Sequence, residues 1–208
     1  TGEMSKKWGA LPRYNFDADN FNMWQYLDIH SNWTNGFWRV PGAFNDVAHK
    51  NGVKTGCTYF IDWGAGVNQM DEPGKTLYEL ATPGTNSYGD KYKYSRKLIQ
   101  FLKYYGIDGL CFNPEGYWGY TVYSRFIPFL AECHKIAKEL NHPFHVDWYA
   151  FVTNTGQLND NGCRLTTNNN NWFHHAATDQ PVTDVYFLNY NWTESGLKES
   201  VNTARSHG

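Results

Sequence analysis

Four short apolar runs are separated by helix-length segments, and this alternation constrains the fold more than any other feature of the chain. The runs are GVKTGCTYFIDW (52–63), GIDGLCFNPE (106–115), FHVDWYAF (144–151) and TDVYFLNYNW (183–192). Each carries β-branched or aromatic residues and ends in a polar cluster, as parallel strands buried on both faces do. A weaker fifth run lies at 24–29. Between the runs, TVYSRFIPFLAECHKIAKEL (121–140) puts Val122, Phe126, Phe129, Cys133 and Ile136 on one helical face, and Asn141-His142-Pro143 stops it. Pro128 is expected to kink its first half. Further helices are expected at 92–105, ending at Gly106, and at 43–50, ending at Asn51-Gly52.

Strands joined by helical crossovers make a parallel sheet with helices packed outside it. No Gly-rich phosphate loop follows the first strand, and polar and aromatic residues gather at the strand C-terminal ends. Both features favour an α/β fold of the (β/α)8 TIM-barrel type over a doubly wound sheet. About five βα units are counted where a barrel needs eight. The chain, 1–208, therefore reads as one barrel domain that is incomplete at its C-terminal side, with SVNTARSHG standing where a sixth unit would begin.

With 18 Lys and Arg against 20 Asp and Glu and no basic block, a nucleic-acid partner is not expected. No run approaches a membrane span, so membrane insertion is not expected either. The opening TGEMSKKWGALPRY lacks a signal-peptide core, so any export signal is taken as removed or never present. Cys57, Cys111, Cys133 and Cys163 have no framework spacing and read as free thiols. Aromatic residues make up 18% of the chain, more than a core of this size needs, so some rings are expected on the surface. A flat apolar face with a polar edge suits a sugar ring.

Asn113 and Glu115 lie two residues apart at the C-terminal end of the strand in GIDGLCFNPEGYWGY. Side chains at i and i+2 of an extended segment project to the same side, so an amide and a carboxyl are presented together. Pro114 between them restricts Asn113 to extended conformations. Taken alone, Asn-Pro-Glu-Gly also reads as an ordinary polar turn. A retaining glycosidase of the usual kind needs two carboxylates, whereas this segment offers one. A substrate bearing a 2-acetamido group can supply the missing nucleophile, its carbonyl oxygen attacking the anomeric carbon. An Asn can orient that amide, and Glu115 would protonate the leaving oxygen and then activate water. Tyr117 and Trp118 are expected to shield Glu115 partly from solvent.

Five segments, MWQYLDIHSNW (23–33), AHKNGVKTGCTYFIDW (48–63), IDGLCFNPE (107–115), DWYAFVTNTGQL (147–158) and FLNYNW (187–192), together resemble the endo-β-N-acetylglucosaminidases of glycoside hydrolase family eighty-five in order and spacing. Those enzymes cut the chitobiose core of N-linked glycans. The resemblance implies a barrel in which Asn113 positions the acetamido group, Glu115 is the general acid/base and Tyr149 contacts the reaction centre. It further implies that Trp63, Trp118, Trp148, Asn189, Tyr190 and Trp192 help line the sugar cleft. An N-linked glycan or glycoprotein is the implied substrate, no cofactor or metal is expected, and a secreted or cell-surface bacterial location is expected over a cytoplasmic one.

Chitinase-like enzymes of family eighteen resemble the chain in fold but normally carry Asp where Asn113 stands. A catalytically silent carbohydrate-binding barrel is the alternative from another class, and it has no need of a protonatable group at 115. His145-x-Asp147 shares one strand face, but no third ligand at a telling spacing accompanies it. His174-His175 reads as a solvated loop, Asp108 as structural and Asp62 as a cleft candidate. Sequons stand at Asn32 and Asn191; the second is taken as chance because a glycan there would obstruct the cleft, and the chain as coming from a compartment or organism that does not modify it.

Overall fold

The computed structural model describes residues 21–33, 40–61, 72–116 and 119–207. Along the chain lie strands β1 (Ile29–Asn32), β2 (Lys54–Ile61), β3 (Gly109–Pro114), β4 (His145–Tyr149), β5 (His174–His175), β6 (Gln180–Pro181) and β7 (Val185–Phe187). Helices α1 (Gly42–Lys50), α2 (Glu72–Leu80), α3 (Ser95–Tyr105), α4 (Tyr120–Glu139) and α5 (Glu194–Arg205) alternate with them. Five strands form one parallel sheet in the order β1-β2-β3-β4-β7, while β5 and β6 make a small antiparallel hairpin. Sequential parallel neighbours joined by outer helices are the signature of part of a (β/α) barrel.

Side-chain alternation gives the sheet two distinct faces. Cys57, Tyr59, Leu110, Phe112, Val146 and Trp148 point to the helix layer and pack against Leu98, Ile99 and Leu102 of α3 and Phe126, Phe129 and Leu130 of α4. Ser31, Gly56, Thr58, Cys111, Asn113, His145, Asp147 and Tyr149 alternate with them on the inner face, as the strand registers require. The sheet is strongly curved. Ser31 on β1 donates to Asp147 Oδ2 on β4 at 3.0 Å, although two strands lie between. In a flat sheet β1 and β4 would stand about 14 Å apart, beyond the reach of Ser and Asp side chains. Gly56 and Gly109 make this chord possible. A Cβ on Gly109 would lie 2.4 Å from the His145 carbonyl oxygen and 2.5 Å from its ring, and one on Gly56 would lie 3.1 Å from Ser31 Oγ.

At the opposite end of the strands, a polar latch ties α1 to β2 and β3. His49 Nε2 meets Asp108 Oδ2 at 2.7 Å, the Thr55 amide donates to the same oxygen at 2.8 Å, and Asn45 Nδ2 donates to the Gly106 carbonyl at 2.9 Å. This gives Asp108 the structural role its place near the strand start implied.

Several boundaries differ from the sequence-based expectations. Residues 24–26 form a 3-10 turn and the first strand begins only at Ile29, because Trp24 packs on Phe44 of α1 and the chain enters the sheet where Ile29 registers with Lys54. Of the run 183–192, only Val185–Phe187 is strand. Helix α2 was hidden by Pro73-Gly74, residues that break a helix interior but are tolerated in a first turn. Helix α5 completes the fifth unit, capped by Thr193 Oγ1, which accepts from the Gly196 amide at 3.1 Å. Helix α4 runs unbroken through Pro128. The four cysteines are free thiols.

Candidate active site

Asn113 and Glu115 emerge together at the C-terminal end of β3. Asn113 Nδ2 donates to Glu115 Oε1 at 3.1 Å, and both side chains are half-buried. This bond occupies the amide nitrogen and turns Asn113 Oδ1 away as a potential acceptor. The backbone of Glu115 is also held: its amide donates to the Ile61 carbonyl at the end of β2 at 2.9 Å, extending the β2–β3 ladder by one residue.

Tyr149, at the end of β4, is the neighbouring inner-face residue. Burial pushes its phenol up to about 12, and the negative charge of Glu115 adds to the shift. The hydroxyl therefore stays protonated at neutral pH and is available to a ligand as a donor. The Phe151 ring stacks beside it at 5.6 Å. Through the register Tyr149↔Phe187 and the bond from the Ala150 amide to the Phe187 carbonyl at 2.8 Å, β7 brings its following turn alongside. There the Tyr190 ring, 91% exposed, lies 6.5 Å from that of Tyr149. Asn189 holds the turn, its Oδ1 accepting from the Tyr190 amide at 2.6 Å, and Trp192 is exposed two residues later.

Trp148 has to be removed from the expected cleft. It is fully buried on the helix face of β4, stacked on Trp172 at 4.0 Å with the planes 7° apart. Neighbours along a strand point to opposite faces, so Trp148 and Tyr149 cannot both face a substrate. Trp63, Trp118, Asp62 and Tyr117 lie outside the described residues.

Two arrangements beside the pair were not legible in the sequence: the closing of Ser31 over His145 and Asp147, which the strand spacing had placed on one face, and the place of Tyr123. On the inner face below the pair, His145 and Asp147 are buried and the half-buried Ser31 bonds to Asp147; His145 Nε2 stands 3.6 Å from Asp147 Oδ2. Burial pushes the Asp147 carboxyl up to about 6, against the Ser31 bond that lowers it, and pushes the His145 imidazole down to about 4. The alternation in HVDWY signalled that these two share the face of Tyr149, but not that β1 would close over them. Behind the pair, the Tyr123 hydroxyl of α4 donates to the Gly116 carbonyl at 2.8 Å. Its spacing on α4 did not mark it.

The model for Glycosyl hydrolase family 85 matches residues 3–208. The chain belongs to this family. Among curated relatives, it is 28% identical to the cytosolic endo-β-N-acetylglucosaminidase of Danio rerio over 90% of this chain and 24% of that protein. It is 25% identical to cytosolic endo-β-N-acetylglucosaminidase 1 of Arabidopsis thaliana over 87% of this chain and 24% of that protein. Among solved structures, the glycoside hydrolase domain of Endo-D from Streptococcus pneumoniae R6 superposes with a TM-score of 0.71 at 26% identity, over 90% of this chain and 28% of that one. The family 85 chain thus spans about a quarter of the length of these relatives. The names of the curated relatives overturn the expectation of a secreted or cell-surface bacterial location, since they are called cytosolic. Among the described residues, no helix is long and apolar enough to cross a membrane.

Proposed function

We propose that the protein containing this chain is an endo-acting glycoside hydrolase that cleaves the β-1,4 bond of the N,N′-diacetylchitobiose core of N-linked glycans, retaining configuration through the substrate's own acetamido group. The observation that carries this reading is the 3.1 Å bond from Asn113 Nδ2 to Glu115 Oε1, which holds the amide and the carboxyl side by side at one strand end and leaves Asn113 Oδ1 outside that bond as a potential acceptor. Family membership supports it, as do the names of the relatives. The 208 residues then form one portion of a glycosidase barrel domain.

In the first step the acetamido carbonyl oxygen attacks the anomeric carbon while the bond to the leaving oxygen breaks and Glu115 delivers its proton there. Asn113 Oδ1 accepts from the acetamido N–H, aligning the attack and stabilising the charge that develops on the oxazolinium ring. The Tyr149 hydroxyl, held protonated, is a further donor beside that ring. In the second step Glu115, now a carboxylate, takes a proton from water, which attacks the same carbon and reopens the ring. Asn189 and the exposed Tyr190 and Trp192 offer polar and aromatic surface to the flanking sugars.

The test is incubation of the full-length protein with a high-mannose N-glycopeptide. Glycan release is expected, and Glu115→Gln is expected to slow it by roughly 10²- to 10⁴-fold. A full-length protein that releases nothing leaves the carbohydrate-binding alternative standing. A Glu115→Gln variant as fast as the parent removes Glu115 from the chemistry.

A further inference from the structure

We propose that Tyr123 is a positioning residue for Glu115, and that with Trp172 and Trp148 it forms an aromatic column that sets the spacing between Glu115 and Tyr149. The inference deepens the function proposed above and rests on it for its kinetic readout. Three observations carry it. First, the Tyr123 hydroxyl donates at 2.8 Å to the carbonyl of Gly116, the residue directly after Glu115, and both Tyr123 and Gly116 are buried. Glu115 is therefore clamped on both sides along the backbone, by the Ile61 carbonyl at its own amide and by Tyr123 at the next peptide.

Second, the clamp is continuous with β4. Tyr123 meets the Trp172 ring edge-on at 5.6 Å and 90°, and Trp172 stacks on Trp148 at 4.0 Å. Trp148 precedes Tyr149 on the opposite face of β4, so the column runs behind the sheet from the residue after Glu115 to the residue before Tyr149. Rings in face and edge contact within a close-packed layer have little freedom to slide. Trp172 is further tied by its Nε1, which donates to the Thr153 carbonyl at 3.1 Å in the segment following β4.

Third, that segment is pressed against the start of α4. A Cβ on Gly156 would lie 2.8 Å from Gly119 and Tyr120 backbone atoms, and Gly156 has φ +74°. The backbone that follows Tyr149 and the helix that carries Tyr123 thus touch with no side chain between them. Moving one moves the other.

A proton donor is useful only where the leaving oxygen is, and a shift of about 1 Å can cost as much as a hundredfold in rate. Tyr123→Phe removes the hydroxyl that donates to the Gly116 carbonyl and preserves the ring contacts. In the full-length protein it is expected to lower kcat for glycopeptide about tenfold or more with KM within twofold. On an aryl substrate with a nitrophenolate leaving group, which needs little protonation, the loss is expected to shrink to threefold or less. A purely structural role would lower both substrates' rates alike or affect only melting. Unchanged kcat, or equal losses on the two substrates, overturns the proposal. If the parent itself proves inactive, the function proposed above has failed, and crystal structures of the parent and Tyr123→Phe decide the positioning role. The 3.1 Å bond between Asn113 and Glu115 is then expected to break in the variant, and an unchanged bond overturns the clamp. Should Tyr123→Phe not fold, Trp172→Phe, which keeps a ring but loses the bond to Thr153, is judged by the same outcomes.

Discussion

Asp147 gives the sharpest quantitative expectation about stability. Its carboxyl is buried on the inner face, accepts one bond from Ser31 and, among the described residues, has no hydrogen-bond partner for its Oδ1. Burial raises it from 3.8 to about 6. An acid whose folded value lies above its unfolded one favours folding while protonated, and this contribution is lost as pH rises through the folded value. At about 1.4 kcal/mol per tenfold change in proton affinity, the loss is roughly 3 kcal/mol above pH 7 and only about 1 kcal/mol at pH 4.5. Asp147→Asn keeps the shape and an acceptor for Ser31 without the charge. The variant is therefore expected to be more stable than the parent at pH 7.5 by roughly 3 kcal/mol, a gain that shrinks toward pH 4.5. His145, pushed down to about 4, is neutral at pH 7.5 in both proteins and does not enter the difference. Hydrogen exchange of the buried β3 and β4 amides in the full-length protein reads this locally, as exchange slowed on the order of a hundredfold at pH 7.5. A difference that is the same at pH 4.5 and 7.5, or a less protected variant at pH 7.5, refutes the reasoning.

Two further outcomes follow from the packing and charges. Trp172→Ala removes the ring between Trp148 and Tyr123 and is expected to cost about 3–5 kcal/mol, measured by denaturant unfolding; a cost below about 1 kcal/mol would contradict the column. Arg96→Met takes from Asp90 the two bonds of 2.8 Å by which Arg96 grips it and holds it below the usual carboxylate range, leaving Asn86 Nδ2 at 2.8 Å as a side-chain donor to it. The expected loss is about 3 kcal/mol at neutral pH. Because a depressed acid stabilises above its unfolded value and stops doing so as pH falls through the folded one, the gap between variant and parent should close in strong acid. Melting curves at pH 7 and pH 2.5 check this.

The chain's local pattern carried much of the architecture. Alternation of apolar runs and helical stripes identified the parallel sheet, and Gly106 ended α3 at φ +66° as its position implied. The helix behind Pro73-Gly74 and the late start of β1 were not legible, because Pro and Gly read as breakers wherever they stand and only aromatic packing between Trp24 and Phe44 decides where the first strand begins. The candidate site divides in the same way. Period two put Asn113 and Glu115 on one side of one strand, and this needs no tertiary contact. The same period says that Trp148 and Tyr149 face opposite ways but not which of them faces inward, since both are large, aromatic and tolerable on either face.

What the sequence alone determined is therefore the alternation of the main strands with three of the helices and the pairing of Asn113 with Glu115, both fixed by contacts within a few residues. Which side of the sheet is the lumen, that Ser31 reaches Asp147 across it, and that Tyr123 stands behind Glu115 were decided by tertiary structure. These depend on sheet curvature and on partners 7 to 116 residues away in the chain, distances over which no local periodicity carries information.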